Sequence, residues 1–136
     1  DHFKNVNDRF GHLHGDEVLM ILARILQSTF RKTDLIYRFG GEEFVVIVYV
    51  DDRGDAEMTF ERLRISIENH VFPQVGKVTV SIGITEVRDT SFPVELLGHA
   101  DQALYYAKTH GRNRVAFYEA LLANGEIEAY QRTPKT

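Results

Sequence analysis

"YRFGGEEFVVIVYV", residues 37–50, sets two glycines and two glutamates between runs of β-forming side chains. Glycine adopts the positive φ that a tight hairpin turn demands, so "LIYRF" and "FVVIVYV" read as antiparallel strands joined at Gly40 and Gly41. The second run is near-continuously apolar, the pattern of a central strand. Glu42 and Glu43 then stand at the tip beside two residues without side chains, where a ligand can approach the backbone closely. Carboxylates held by a rigid element supply the hard oxygens that Mg²⁺ takes. An acidic tip alone would repel a polyphosphate, so a metal ion must lie between the two. The plain alternative is an exposed acidic turn.

Outward from the hairpin, "GDEVLMILARILQSTF" places Val18, Leu19, Leu22, Ile25, Leu26 and Phe30 at helical spacing, which predicts an amphipathic helix from Gly15 with Asp16 and Glu17 in its first turn. After the turn residues "DDRGD", Met58, Phe60, Leu63 and Ile67 mark a second helical stripe. "KVTVSIGITEV" alternates strictly and predicts a strand with Val78, Val80, Ile82 and Ile84 on its buried face. Pro93 near the start and Gly111 as C-terminal cap bound a third helix carrying Leu97, Ala100, Leu104 and Ala107. "RVAFYE" reads as a last short strand, and the polar stretch after Ala123 as a loosely held tail. Helix, strand, strand, helix, strand, helix, strand describes an α+β sandwich with a mainly antiparallel sheet covered by helices.

The chain has 136 residues with 43% apolar content, which suits one domain with a buried core. Its net charge of −4 does not attract polyanions, so DNA is not an expected partner and a phosphate ligand must be held by a local group of cations. With no cysteine there is neither disulfide nor thiolate chemistry. No apolar run is long enough to cross a bilayer, and "DHFKNVND" lacks the basic start and apolar core of a signal peptide. The expectation is a cytoplasmic domain with no membrane contact by this segment.

Four further stretches fall in order around Gly40-Gly41-Glu42-Glu43-Phe44: "DHFKNVNDRFGHLHGDEVL" at the start, Arg31 to Asp34 "RKTD", "SIGIT" at 81–85 and "ADQALYYAKTHGRN" at 100–113. In these motifs, which cover residues 1 to about 118, the chain resembles the GGDEF domains, the diguanylate cyclase family, in a GGEEF variant. The resemblance implies a ferredoxin-like, nucleotide-cyclase-like sandwich over residues 1–118, followed by a C-terminal tail at 119–136. It implies condensation of two GTP into cyclic di-GMP and two pyrophosphates, with two copies of the domain facing each other. Such catalysis rests on orienting two substrates and neutralising phosphate charge, so a lone copy should be nearly inert.

Carried over residue by residue, the resemblance makes Glu42 a ligand of Mg²⁺ (or Mn²⁺) and a candidate base for the attacking hydroxyl, with Glu43 a second carboxylate at the metal or phosphate. Asn7 and Asp16 would read the guanine edge, since a carboxylate accepts from both N1–H and the exocyclic amine. Phe3 and Leu19 would wall that pocket and Lys4 would stabilise transition-state charge, while backbone amides near His2 and Phe3 meet the outer phosphates. Lys108 and Arg112 would reach the triphosphate, His12 would be a loop histidine near the nucleotide, and His14 has no assigned role. Arg31 and Asp34 match the R-x-x-D inhibitory site for cyclic di-GMP, where arginine's planar fork suits phosphate or guanine. Each has a structural counterpart: helix-end cations for Lys108 and Arg112, turn and first-turn residues for Asn7 and Asp16, a surface ion pair for Arg31 and Asp34.

The resemblance also implies a first central strand before "DHFK", ending in an aspartate two residues upstream of Asp1 that shares the metal with Glu42. That strand is not in this sequence. The chain is therefore expected to be a fragment of a longer regulated cyclase with little activity of its own, the other possibility being a sheet completed by another chain. The competing reading is a receptor that binds cyclic di-GMP without making it. A cyclase for another base is disfavoured by the Asn7 and Asp16 pair.

Overall fold

The computed structural model describes residues 1–88 and 92–128, and the end of the expected tail, 129–136, lies outside them. The chain divides into two compact units, Asp1–Val80 and Ser81–Thr136. The first unit contains α1 (Phe3–Phe10), α2 (His12–Thr29), β1 (Leu35–Arg38), β2 (Phe44–Ile47) and α3 (Arg53–Asn69). The second contains β3 (Ile82–Ile84), α4 (Pro93–Thr109), β4 (Val115–Phe117) and α5 (Tyr118–Ala123). Among the described residues no helix is long and apolar enough to cross a membrane.

In the first unit the expected amphipathic helix is present but starts earlier. Gly11 is the N-cap and His12 opens α2, so Gly15 and Asp16 lie inside the helix rather than at its mouth, and no acidic residue occupies its first turn. Val18, Leu19, Leu22 and Leu26 are buried along one stripe, continued by Phe30, whose ring meets Phe60 of α3 at 5.5 Å. In α3 the buried stripe is Ala56, Phe60, Leu63 and Ile67 at alternating steps of four and three. Met58, expected on that stripe, is 62% exposed because it falls between those positions. Asp52 caps α3 by accepting from the Asp55 amide at 2.8 Å, an interaction worth about 1 kcal/mol. Arg64 donates to Glu61 and Glu68 along the same helix, and the bond to Glu61 is the main reason that its guanidinium pKa is raised.

The hairpin strands pair antiparallel as expected, in a register that runs from Leu35 opposite Ile47 to Arg38 opposite Phe44. The expectation of a central second strand is not met. Only Phe44–Ile47 is strand, and Ile47, Tyr49 and Val50 are exposed. Among the described residues β2 has one ladder partner, so its other edge stays unpaired and its apolar run half-covered.

In the second unit β3 and β4 pair in parallel, Ile82 opposite Val115 and Ile84 opposite Phe117, with α4 as the crossover. The expected long strand shortens to Ile82–Ile84 because its partner offers three residues. Pro93 sits in the first turn of α4, and Gly111 follows the C-cap His110 with φ 109°. The Arg112 amide bonds back to the Ala107 carbonyl at 2.9 Å, the 6→1 bond of a Schellman ending. Ala103 and Ala107 of α4 are wholly buried against Ala116, Tyr118 and Leu121, whereas Leu97, expected in that stripe, is exposed. The last expected strand ends early, at Phe117, and the chain turns directly into α5. Tyr106 of α4 donates its hydroxyl to Glu126 at 2.7 Å, which raises its phenol pKa.

Helix α4 lies on β3 at Gly83. A Cβ there would overlap the Ala100 carbonyl oxygen and the Leu104 amide nitrogen, with Leu104 Cα at 2.9 Å. These are backbone atoms that cannot rotate away. Gly83→Ala should therefore lower unfolding stability by about 1–3 kcal/mol, measured by urea denaturation, and an unchanged midpoint would contradict this packing.

Candidate functional site

Helices α1 and α2 bring together three of the residues singled out in the sequence, Phe3, Asn7 and Asp16, at Gly15. "FKNVNDRF" forms α1, with His2 as N-cap in a left-handed conformation, φ 56°. Gly15 of α2 is buried and has no side chain, and the space that a Cβ would fill holds the Asn7 carboxamide oxygen, with Phe3 Cζ 3.2 Å away. Asp16 follows Gly15 and is exposed, and Leu19, one turn on, is buried. Asn7 Oδ1 is buried without a hydrogen-bond partner. A buried acceptor left unpaired costs about 1–3 kcal/mol, so a ligand that donates to it would recover that energy. Lys4 stands exposed on α1 with no partner among the described residues. His12 is not in a loop as expected but opens α2, exposed, and half-buried His14 has Nδ1 3.8 Å from Glu17 Oε2.

At the hairpin tip Gly40 and Gly41 take φ 79° and 21°, values that side-chain-bearing residues rarely adopt. Phe39 N–H donates to the Glu43 carbonyl at 2.8 Å and Glu43 N–H to the Gly40 carbonyl at 3.0 Å, closing the turn. Arg38, which the sequence reading did not single out, donates Nε and Nη2 to the Gly41 carbonyl at 2.9 and 2.7 Å. Glu42 and Glu43 are exposed, and neither carboxylate has a partner among the described residues. No three His, Cys, Asp or Glu side chains among those residues gather into a metal-holding group by themselves. Two free carboxylates nevertheless fit Mg²⁺ or Mn²⁺, since Mg²⁺ commonly takes one or two carboxylates and completes its shell with water and substrate phosphates.

The R-x-x-D stretch forms a closed turn. Arg31 N–H donates to Asp34 Oδ2 at 2.8 Å and Asp34 N–H to the Arg31 carbonyl at 3.0 Å. Asp34 Oδ1 also accepts from Tyr49 N–H at 3.4 Å. The Arg31 guanidinium is exposed and has no partner among the described residues. Arg31, Asp34, Phe30 and Tyr37 help to line an open groove of about 410 Å³. A second groove of about 250 Å³ runs between Asn5, Arg9, Lys77 and Thr79. Neither groove is lined by Glu42, Glu43, Asn7 or Asp16.

In the second unit Lys108 occupies the last turn of α4, where a cation favours the helix dipole, and Arg112 stands just past it. Gly111, Arg112 and Asn113 have φ of 109°, 61° and 45°, three successive left-handed residues. Such conformations in residues other than glycine cost energy and concentrate at functional sites.

Residues 1–114 match the family model described as "Diguanylate cyclase, GGDEF domain". The chain is 44% identical over 115 residues to Diguanylate cyclase DgcM of Escherichia coli (strain K12), covering 85% of this chain and 28% of that protein. It is 41% identical over 119 residues to Diguanylate cyclase A of Treponema denticola, covering 85% and 32%. The chain thus spans less than a third of the length of these curated relatives. Among solved structures it resembles the GGDEF domain of DgcB from Caulobacter crescentus in complex with c-di-GMP, at 32% identity and a TM-score of 0.82, covering 88% of this chain and 73% of that one. It also resembles the active GGEEF domain of a diguanylate cyclase from Vibrio cholerae, at 35% identity and a TM-score of 0.79, covering 87% and 77%.

Because only a flexible carboxamide and a ring edge oppose it, a methyl group at Gly15 should displace Asn7 rather than unfold α2. Alanine also favours a helix interior by about 1 kcal/mol over glycine. Gly15→Ala should keep the melting temperature at or above wild type while shifting the Asn7 side-chain amide resonances. Unmoved Asn7 resonances would contradict the contact.

Proposed function

The chain belongs to the GGDEF domain family of diguanylate cyclases, and on that premise we propose that it is the catalytic domain of an enzyme condensing two GTP into cyclic di-GMP and two pyrophosphates. The observation that carries this reading is the seat of Phe3 and Asn7 on Gly15, beside Asp16, with a buried acceptor left unpaired. Asn7 Oδ1 can accept from a guanine N–H and the Asp16 carboxylate can accept two more, whereas adenine presents an acceptor at its N1 position and loses the match. Buried Leu19 and the Phe3 ring supply the apolar wall for a base.

The first unit also carries groups that would handle the metal and the phosphates. Glu42 and Glu43 would hold Mg²⁺ or Mn²⁺, which when bound supplies charge neutralisation at the phosphates. The Glu42 carboxylate takes the proton of the attacking 3′-hydroxyl. Lys4 donates to the phosphoryl oxygens as charge builds there, and the α1 amides near His2 and Phe3 receive outer phosphate oxygens. In the second unit Lys108 and Arg112 are the cations that we assign to phosphate. A second copy of the domain brings the other GTP in line, because one domain holds one nucleotide and the reaction joins two.

The groove beside Arg31 and Asp34 favours a second, regulatory role. Its free guanidinium can fork onto a phosphate or a guanine edge, while Asp34 is already tied to the turn backbone. Cyclic di-GMP bound there would restrain the enzyme as product. The receptor reading uses the same groove but leaves the Asn7 seat and the free hairpin carboxylates without a purpose.

The two roles separate by mutation in the full-length protein that contains this chain. Glu42→Ala should abolish cyclic di-GMP formation from GTP while leaving cyclic di-GMP binding by calorimetry unchanged. Arg31→Ala should leave synthesis intact and weaken product binding by about tenfold to a hundredfold, the loss of a charge-assisted hydrogen bond. Product formation by Glu42→Ala would overturn the cyclase assignment.

A further inference from the structure

We propose that Arg38 is a positioning residue whose guanidinium, by forking onto the Gly41 carbonyl, sets the direction in which the hairpin presents Glu42 and Glu43. Its importance for turnover rests on the cyclase reading above, whereas the clamp itself does not. Two consecutive glycines give this turn the widest conformational freedom that a peptide has, and catalysis needs ligating carboxylates held to within a fraction of an ångström. Two backbone hydrogen bonds close the turn, but both run between Phe39, Gly40 and Glu43 and leave the Gly41–Glu42 peptide free to rotate. Arg38 Nε and Nη2, at 2.9 and 2.7 Å from the Gly41 oxygen, hold that peptide plane. Among the described residues they are the only side-chain hydrogen bonds to the turn backbone. The plane they hold carries the Glu42 amide, and therefore fixes the Glu42 Cα from which the carboxylate reaches out.

The arrangement uses arginine's geometry. A planar fork on one carbonyl oxygen resists rotation about the donor axis, which the single ammonium of lysine does not. Arg38 is exposed and at the end of β1, so the clamp adds little to overall stability. Its effect falls on the geometry of the tip. A direct phosphate contact by Arg38 is the rival role, and it would act on nucleotide affinity rather than on the turn.

The test uses the full-length protein as wild type, Arg38→Ala and Arg38→Lys, with hydrogen–deuterium exchange of the metal-free, nucleotide-free protein and steady-state kinetics in varied Mg²⁺ and GTP. Exchange of the hydrogen-bonded turn amides of Phe39 and Glu43 should rise about tenfold or more in Arg38→Ala with the melting temperature unchanged, the mark of local opening. Turnover should fall by about tenfold to a hundredfold, the usual effect of a small misplacement. The Mg²⁺ needed for half-activity should rise and KM for GTP stay near wild type. Arg38→Lys should fall between the two. Unchanged exchange at the tip, or a loss confined to KM for GTP, overturns the proposal. If the wild type makes no cyclic di-GMP, the cyclase reading fails, and the exchange measurement still decides whether Arg38 holds the turn.

Discussion

Where α1 meets α2, Gly15 leaves the volume of a methyl group unfilled, and the Asn7 carboxamide with the edge of Phe3 takes it. The candidate nucleotide seat follows from that close approach. Any larger residue at this point of α2 would hold α1 away or turn Asn7 aside, and Asp16 and Leu19 would then flank an empty wall. The missing side chain is thus a structural requirement of the site, although glycine weakens a helix interior. The unpaired Asn7 oxygen is a cost of the same kind, borne in the free protein and relieved by a ligand with a matching donor.

The hairpin meets the opposite demand. Its glycines permit the turn but do not choose a conformation within it. That choice falls to the ladder from Leu35–Ile47 to Arg38–Phe44, the two bonds across the tip and the Arg38 fork. The glutamate side chains contribute no bond to the turn, which leaves their carboxylate oxygens for a ligand. The inhibitory-site candidate divides its labour in a similar way: Asp34 spends its carboxylate on the backbone of Arg31 and Tyr49, and Arg31 keeps its guanidinium free.

How far the sequence was legible varies with the source of each feature. The hairpin was readable because a Gly-Gly pair between β-branched runs has few other solutions. Asn7, Asp16, Phe3 and Leu19 were singled out through the motif, and three of them do gather at Gly15. The start of α2 was misplaced because Asp16 and Glu17 resemble first-turn acids, while the actual N-cap, Gly11, makes no side-chain bond that would advertise it. Helix α1 went unrecognised even though Phe3, Val6 and Phe10 recur at helical spacing, since its asparagines and aspartate also suit turns. Strand lengths depended on partners: β3 ends where β4 ends, which no local pattern encodes. Arg38 was passed over because its partner is a backbone carbonyl, and a carbonyl is the same in every residue. A charged side chain just before a Gly-Gly turn was the one available hint.

The parallel pairing of β3 with β4 bears on how the second unit assembles. Ile82 and Val115 become neighbours only across the whole of α4, so the ladder cannot nucleate by itself in the way that the Leu35–Ile47 hairpin can. Chain search over that separation is slow unless the helix first shortens the path. The left-handed reversal at Gly111 to Asn113 is what turns the chain from α4 into β4. Newly made chain emerging from a ribosome would hold β3 without this partner until residues some thirty places later had appeared, so that edge also needs shelter during synthesis.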